Sequence, residues 1–508
     1  MRTACLTLAT WLGLLLAAPG FVACSGSDND GAGGPFELTA ERRAAFSSEL
    51  EAARQRLEVP GVAYAIVAHG QVLEVNGLGV RDLATLAPVT ADTVFRVGSI
   101  TKAMSSALIA SHVDEGALAW DTLATSIDPG FKLTDDALTK SVTLAELLGM
   151  GTGLNAPPPF WWEYQTADDV MAAVSLATKT VPRGTFIYNN EAYATGVYLG
   201  LRASGATGPL VDAYAGELET RVFAPLGMKA AVSDDPATVG EDYAKSYMPS
   251  LVDKLSADSE TPPFALRGLS AAGAVVTSAA ELAKFLIAEM QQGLGANGAR
   301  IASAENIRRT QLGQTPWTRG FYGMGWVIEN ELSVPLLWHD GSIDGFRTLM
   351  LSLPKAEVGL VVLSNGATGD RLCAVARAAF MRAVHGKSSI PAGKVETLYE
   401  ADRAALADTV SKLKSAVDAT ALAPYIGKYE HGVEVALHED GSAWLVAPGV
   451  EGRLLDASAV TAPGVMVVGS GQFVGNFVQV VGSGAGDPRL EFVNSDLKPV
   501  TVLHKLAE

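Results

Sequence analysis

Cysteine is almost missing from this chain of 508 residues: Cys5, Cys24 and Cys373 are all it has. Three cannot build a zinc ribbon or a disulfide framework. Basic charge is also scarce. Lys and Arg number 38 against 55 Asp and Glu, a formal net charge of -17. No Lys/Arg-rich run offsets this, so a phosphate backbone would be repelled and nucleic acid is not an expected partner. After the first residues no apolar run is long enough to span a bilayer. The chain lacks a Gly-x-Ser-x-Gly elbow and a His-Glu-x-x-His pair, which argues against an α/β-hydrolase and a zinc protease. Gly386-Lys387-Ser388 ends like a phosphate loop, but position 381 is Met where that loop needs Gly. His431 and His438 alone make no ligand set, so neither a metal nor an organic cofactor is expected.

What is present is globular composition, 48% apolar and 18% charged, at a length that calls for more than one folded unit. Residues 1–23 carry Arg2, an apolar stretch from Ala4 to Ala18, and small Ala23 before a break, the three parts of a signal peptide. Phe21-Val22-Ala23-Cys24 resembles the bacterial lipobox, with Phe21 departing from the usual Leu. That resemblance implies a lipid on Cys24, and Ser25 resembles the outer-membrane sorting pattern. Residues 24–36, including SGSDNDGAGGP, form a polar tether. The mature protein is thus expected outside the cytoplasm, anchored at the periplasmic face of the outer membrane or the cell surface.

Residues 37–58 predict a helix that Pro60-Gly61 stops. Val62 to Ala68 and Gln71 to Gly79 predict a hairpin turning at His69-Gly70. The stretch from Ser99 to Gln314 reads as mainly helical. Strand-like runs return at Trp326 to Asn330, Leu336 to His339, Thr348 to Leu353 and Val358 to Ser364, followed by a helix from Val375 to Val384. A sheet built from both ends of the sequence around a helical insert is an α+β arrangement. Residues 389–421 read as a linker with one helix. From Leu422 to Glu508, short alternating runs such as Val433 to Leu437 and Phe473 to Val481 predict a separate small β-barrel or sandwich. No internal repeat is evident.

Three short motifs carry candidate chemistry. In Gly98-Ser99-Ile100-Thr101-Lys102 the serine opens a helix, and Lys102 sits one turn on, on the same face. A hydroxyl becomes a useful nucleophile once a base takes its proton, and a lysine with a depressed pKa is such a base. Tyr188 and Asn190, after the turn Pro182-Arg183-Gly184, offer a proton relay and an amide to bind a carbonyl. His339-Asp340-Gly341-Ser342 closes a predicted strand. Alternation puts His339 and Gly341 on one face and turns Asp340 away from the cleft. A glycine at 341 lets a substrate lie close to the backbone. Singly, each motif is weak, and each residue has an ordinary structural use.

Together, Ser-x-x-Lys, Tyr-x-Asn and His-x-Gly, in this order, resemble the serine β-lactamase and penicillin-binding protein superfamily. The nearest group comprises class C β-lactamases, D-alanyl-D-alanine carboxypeptidases and related esterases. Pro225-Leu226-Gly227-Met228, Gly268 to Gly273, Gly323-Met324-Gly325-Trp326 and Gly345-Phe346 add to the likeness, which covers residues 37–388. It implies a β-lactamase/transpeptidase-like fold, an antiparallel sheet flanked by helices with an inserted helical region. The part after Leu422 is similar to a lipocalin-like appended domain. By that resemblance Ser99 is the acylated nucleophile, and Lys102 and Tyr188 share the proton transfers. Asn190 and His339 line the substrate site, and the N–H groups of Ser99 and Ser342 form the oxyanion hole. Two stretches depart from the pattern: His339-Asp340-Gly341 stands where many β-lactamases have Lys-Thr-Gly, and Gly149 to Leu154 where His-Thr-Ser-Gly-Leu is usual. The expected activity is acyl transfer from amide or ester bonds, with D-alanyl peptides, β-lactams and small esters as candidates. An esterase that never meets a β-lactam, and a sensor that is acylated without turnover, are the alternatives. Arg347 is a candidate clamp for a substrate carboxylate. The sequence gives no oligomeric state.

Overall fold

A computed structural model gives the architecture for residues 37–155, 161–252, 256–261, 265–414, 417–448, 450–457, 465–469, 477–481, 488–493 and 499–506. The signal, the tether and Cys24 lie outside the described residues. Helix α1 (Ala40–Arg56) starts at Thr39, whose hydroxyl accepts from the Arg42 N–H, and buries Phe46, Leu50 and Ala53. Strands β1 (Gly61–Ala68) and β2 (Gln71–Asp82) form the expected hairpin. Its two turn residues, His69 and Gly70, have φ of 48° and 75°, the left-handed pair that matches strand twist.

Strand β3 (Ala87–Pro88) extends this edge, and the sheet resumes after a long excursion. Its later strands are β4 (Thr315–Trp317), β5 (Gly320–Tyr322), β6 (Val327–Glu331), β7 (Val334–Ile343), β8 (Phe346–Leu353) and β9 (Val358–Ser364). The order is β3-β2-β1-β9-β8-β7-β6-β5-β4, antiparallel throughout. β1 is buried along its whole length. Its alternate residues Ala63, Ala65 and Val67 join a core under the inserted region, while Val62, Tyr64 and Ile66 join one under α1 and the closing helix α5 (Gly369–His385). That is why this strand is apolar on both faces.

The insert holds α2 (Thr101–Asp114), α3 (Asn190–Ala203) and α4 (Ala279–Met290). It is less purely helical than its sequence predicts. Val94–Arg96 pairs with Val275–Ser278, which also pairs with Ala230–Val232, and Ser246–Ser250 pairs with Ser256–Thr261. Runs of three to six residues are too short for periodicity to reveal. Strand β7 also runs past its predicted end at His339 to Ile343, so the third motif lies within a strand.

Helix α6 (Lys394–Val410) ties the linker to α1 through Arg56–Glu400 at 2.9 Å. Eight strands follow: β10 (Gly427–Lys428), β11 (Glu434–Leu437), β12 (Ala443–Ala447), β13 (Val450–Asp456), β14 (Val465–Val468), β15 (Phe477–Val481), β16 (Arg489–Val493) and β17 (Pro499–His504). Each pairs with its neighbour in sequence. The end returns to the start, with Tyr429 bridged to Lys505 and the Leu506 N–H 2.8 Å from the Lys428 carbonyl. The result is one curled sheet around Val435, Leu445, Leu454, Val468, Leu490 and Leu503, the barrel side of the sequence expectation.

Candidate active site

Gly98 gives the site its shape. Its φ is +55°, which suits glycine, and a Cβ there would stand 2.9 Å from the Ser342 nitrogen. The turn Gly98–Ile100 that carries Ser99 is therefore pressed against β7, beside the Ser342 N–H. From this turn α2 runs inward and takes Lys102 into full burial.

The Lys102 amine has three oxygen neighbours: Ser99 Oγ at 3.0 Å, Asn190 Oδ1 at 2.8 Å and the Ala272 carbonyl at 2.7 Å. Burial pulls its pKa down to about 7, against the opposing pull of the Glu191 and Asp340 carboxylates. A neutral amine has two N–H bonds and one lone pair. Donating to Asn190 and Ala272 leaves the lone pair for the Ser99 proton. The Tyr188 hydroxyl donates to Ser99 Oγ from 2.6 Å. Burial pushes the Tyr188 pKa above the ordinary tyrosine value, so the phenol keeps its proton. Lys102 is thus equipped to accept a proton and Tyr188 to give one. The amine also lies 4.9 Å from the centre of the Tyr188 ring.

Ser99, Lys102, Tyr188 and Asn190 come together as the motifs predict, and the Ser342 nitrogen lies against Gly98, the residue before Ser99. Asn190 opens α3 behind Asn189, whose side chain caps the Ala192 N–H at 2.7 Å. Its carbonyl oxygen is occupied by Lys102, which leaves the amide N–H groups for a substrate.

His339 lies deeper than alternation alone reveals. It is 1% exposed. Its Nδ1–H donates to the Asp340 carbonyl at 2.6 Å, and its Nε2 accepts from the Tyr322 hydroxyl at 3.1 Å. Burial, with Lys102 nearby, pushes its pKa down to about 3, so the ring is neutral. The ring lies 6.4 Å from the Tyr188 ring, centre to centre, so His339 stands beside the same cluster. At Gly341 a close approach is made by the Val97 carbonyl and Thr348 hydroxyl of the protein itself. Asp340 lies on the opposite face and its side chain is 54% exposed. Its charge nonetheless reaches Lys102 and Tyr188, which corrects the expectation that it leaves the site's sign alone. Arg347 pairs with Ser342 across the strands and is within electrostatic reach of Asp370, Asp344 and Asp340.

The loop Gly149 to Leu154 props the tyrosine. Met150 accepts from the Ile187 N–H at 3.3 Å, and Gly151 from Gly184 at 2.7 Å. Sequence reasoning missed the Ala272 carbonyl, Glu191, Tyr193 and Tyr322. Tyr193 hydrogen-bonds the Lys102 carbonyl at 2.6 Å, and its position three residues after Asn190 on one helix face was a signal. Ala272 acts through its backbone, which no residue type announces. Among the described residues no group of three or more His, Cys, Asp and Glu side chains is placed to hold a metal ion. His431 and His438 are apart in use, the first beside Glu163 at 3.0 Å and the second stacked on Trp444.

The Beta-lactamase family model matches residues 48–381. Penicillin-binding protein 4 of Amycolatopsis lactamdurans is 28% identical over 335 residues, 63% of this chain and 84% of that protein. Unguisins hydrolase ungD of Aspergillus violaceofuscus is 26% identical over 352 residues, 63% of this chain and 60% of that protein. Among solved structures, the octameric penicillin-binding protein homologue from Pyrococcus abyssi superposes with a TM-score of 0.56 over 91% of this chain and all of that one, at 19% identity. SurE with D-Leu superposes with a TM-score of 0.56 over 92% of this chain and all of that one, at 17% identity. At such identities the two structures speak for the fold alone.

Proposed function

Because the chain belongs to the Beta-lactamase family, whose model covers residues 48–381, we propose that it is an exported serine hydrolase that cleaves amide or ester bonds through an acyl-enzyme on Ser99. One observation carries the reading: Ser99 Oγ is held between the buried amine of Lys102, whose pKa burial lowers to about 7, and the protonated hydroxyl of Tyr188. In the first half-reaction Ser99 Oγ attacks the carbonyl carbon and its proton passes to Lys102. The oxyanion is met by the N–H groups of Ser99 and Ser342. Collapse breaks the bond to the leaving group, which takes the Tyr188 proton, and Lys102 returns a proton to the phenolate. Water then attacks the ester with Lys102 as base, and Ser99 recovers its proton as it leaves.

Candidate substrates are D-alanyl peptides, β-lactams and small esters. A second reading, an esterase without β-lactamase activity, is supported by the third motif. The neutral His339 is buried and the exposed charge beside it is the Asp340 carboxylate, so the cation that suits a β-lactam carboxylate is missing at that position. A panel of nitrocefin and p-nitrophenyl esters on the purified protein separates the readings. Turnover of both supports a β-lactamase, and esters alone an esterase. A burst without turnover leaves a penicillin-binding sensor, and no reaction at all rejects the proposal. Cys24 is proposed as the lipidated mature N-terminus. Expressed in a Gram-negative host, the protein is expected in the membrane fraction and Cys24→Ser in the soluble one.

A further inference from the structure

Helix α2 carries polar side chains that the chemistry at Ser99 and Lys102 does not use. Every residue from Thr101 to His112 is buried, yet Ser105 and Ser106 follow Lys102 by three and four positions, on the same face. A helical serine ordinarily bonds a carbonyl one turn back, as Ser111 does to Leu108 at 2.7 Å. Ser105 and Ser106 reach across to other elements instead.

Ser105 Oγ donates to the Ala271 carbonyl at 2.7 Å, and the Tyr214 hydroxyl lies 2.8 Å from the same Oγ. A serine has one proton to give, so Tyr214 is the donor in the second bond. Tyr214 stands on the helix Leu210–Leu218. Tyr198, on α3, donates to the Gly268 carbonyl at 2.8 Å and lies 3.2 Å from Ser270 Oγ. The rings of Tyr198 and Tyr214 meet edge to face at 6.5 Å. Ser106 donates to the Tyr193 hydroxyl at 2.6 Å, whose own proton goes to the Lys102 carbonyl. Ser105, Ser106, Tyr193, Tyr198 and Tyr214 are all fully buried.

Ser105 and Tyr198, with Tyr214 behind Ser105, thus grip residues 268–271, directly before Ala272, whose carbonyl holds the Lys102 amine. The gripped segment ends in one short helical turn, Ser270–Gly273, and has glycine at both ends, so its position depends on what holds it from outside. We infer that Ser105, Tyr214 and Tyr198 are positioning residues for the general base: they fix the Ala272 carbonyl, and through it the direction in which the Lys102 lone pair faces Ser99. This rests on the hydrolase reading above. A lysine amine ends a flexible four-carbon stem and rotates about it. Held by Asn190 and Ala272 together, it has its lone pair left for the Ser99 proton. Held by Asn190 alone, it can turn an N–H to Ser99 Oγ, and no proton is taken.

The test reads the second-order rate at which a fluorophosphonate labels Ser99 in the full-length protein, across pH, beside turnover of p-nitrophenyl acetate. Ser105→Ala should slow labelling roughly three- to thirtyfold, less than the hundredfold that an ångström of misplacement can cost. The loss in ester turnover should fall on kcat, with KM unchanged. The pH at which labelling rises should move down, because the ammonium form, with three protons to place, loses most when an acceptor is withdrawn. Glu191, Asp340, Tyr188 and Tyr193 also face the amine and are the same in parent and variant. Tyr214→Phe, which removes one oxygen and carries the test if Ser105→Ala misfolds, should do the same to a smaller extent. The double variant should be no slower than Ser105→Ala, since both act through one carbonyl. Ser111→Ala, which removes a hydroxyl bonded within the helix, should label at the parent rate. Variants that melt earlier but keep the parent's rate and pH limb, or a double variant whose losses multiply, overturn the inference while the hydrolase reading stands. A parent that hydrolyses no acetyl ester and takes no fluorophosphonate on Ser99 overturns both.

Discussion

Around Ser99 the chain buries charge, and in the curled C-terminal sheet it buries hydrocarbon. Lys102 and Arg96 are both fully buried. Lys102 has three oxygen partners, and Arg96 is paired with Asp344 and with Asp234. Taking a cation out of water costs far more than burying a methyl group, and the cost is met only by close, well-aimed partners. The core of the curled sheet among the described residues is Val, Leu, Ala, Met and Tyr. A fold can be had from the second kind of interior alone. The first also occurs away from the candidate site, as at Glu329 and Glu331 beside Arg377, so what marks the site is that a buried amine and a phenol meet on one serine hydroxyl.

The largest test of that contrast is Ser99→Ala. After exposure to a fluorophosphonate, intact-protein mass spectrometry should find one adduct on the parent and none on the variant, with thermal unfolding unchanged. An adduct that survives would move the chemistry elsewhere. Lys102→Ala should slow acylation roughly 100- to 10,000-fold, the usual scale of a lost general base. The reaction uses the free amine, so kcat/KM of the parent should rise with pH through about 7 and level off, and the variant should lose this limb. The same depressed pKa acts on stability. Between about 7 and the ordinary lysine value the unfolded chain binds a proton that the folded one does not, so this group's contribution to stability rises with pH across that window.

Leu454→Ala probes the other side of the comparison. Leu454 is fully buried in β13, and its truncation should cost about 2 to 5 kcal/mol in unfolding of the curled sheet. Labelling of Ser99 by a small reagent should stay at the parent rate below that transition. A variant that loses labelling in step with its unfolding would show that the two parts are one cooperative unit. The smallest effect is expected from Asp340→Asn. For a matched pair of esters, one with a free carboxylate and one methylated, the preference for the neutral member should shrink roughly two- to fivefold, the scale of a solvent-screened charge contact. A parent that strongly prefers the free carboxylate would point to Arg347 as a clamp.

The sequence already carried the central sheet, because strands such as β1 and β9 are apolar runs bounded by turn residues. It carried four residues of the candidate site as well, since Ser99, Lys102, Tyr188 and Asn190 are recognised by type and spacing. It left the depth of His339 open. Alternation along a strand says which residues share a face but not whether that face opens to the cleft or to the core, and here Tyr322 closes over the ring. Ala272 was invisible because a carbonyl belongs to every residue. The strand pair Ser246–Ser250 and Ser256–Thr261 was hidden by its serines and Pro249, which read as loop.

The sheet order has a consequence for how the molecule comes to be folded. β1 lies between β2 and β9, and Val62 is opposite Ser364. Every residue of β1 is buried at the end, yet its second partner is made some three hundred residues later, a long loop to close and a mark of slow folding. Throughout synthesis the run Gly-Val-Ala-Tyr-Ala-Ile-Val-Ala therefore has one hydrogen-bonding edge unfilled, in a stretch with the composition of an aggregation-prone strand. The C-terminal meander, whose strands pair with neighbours in sequence, has no such wait. Until Ser364 arrives, β1 is the part of the chain with most to gain from the wrong neighbour, and a holding chaperone would find its best grip there.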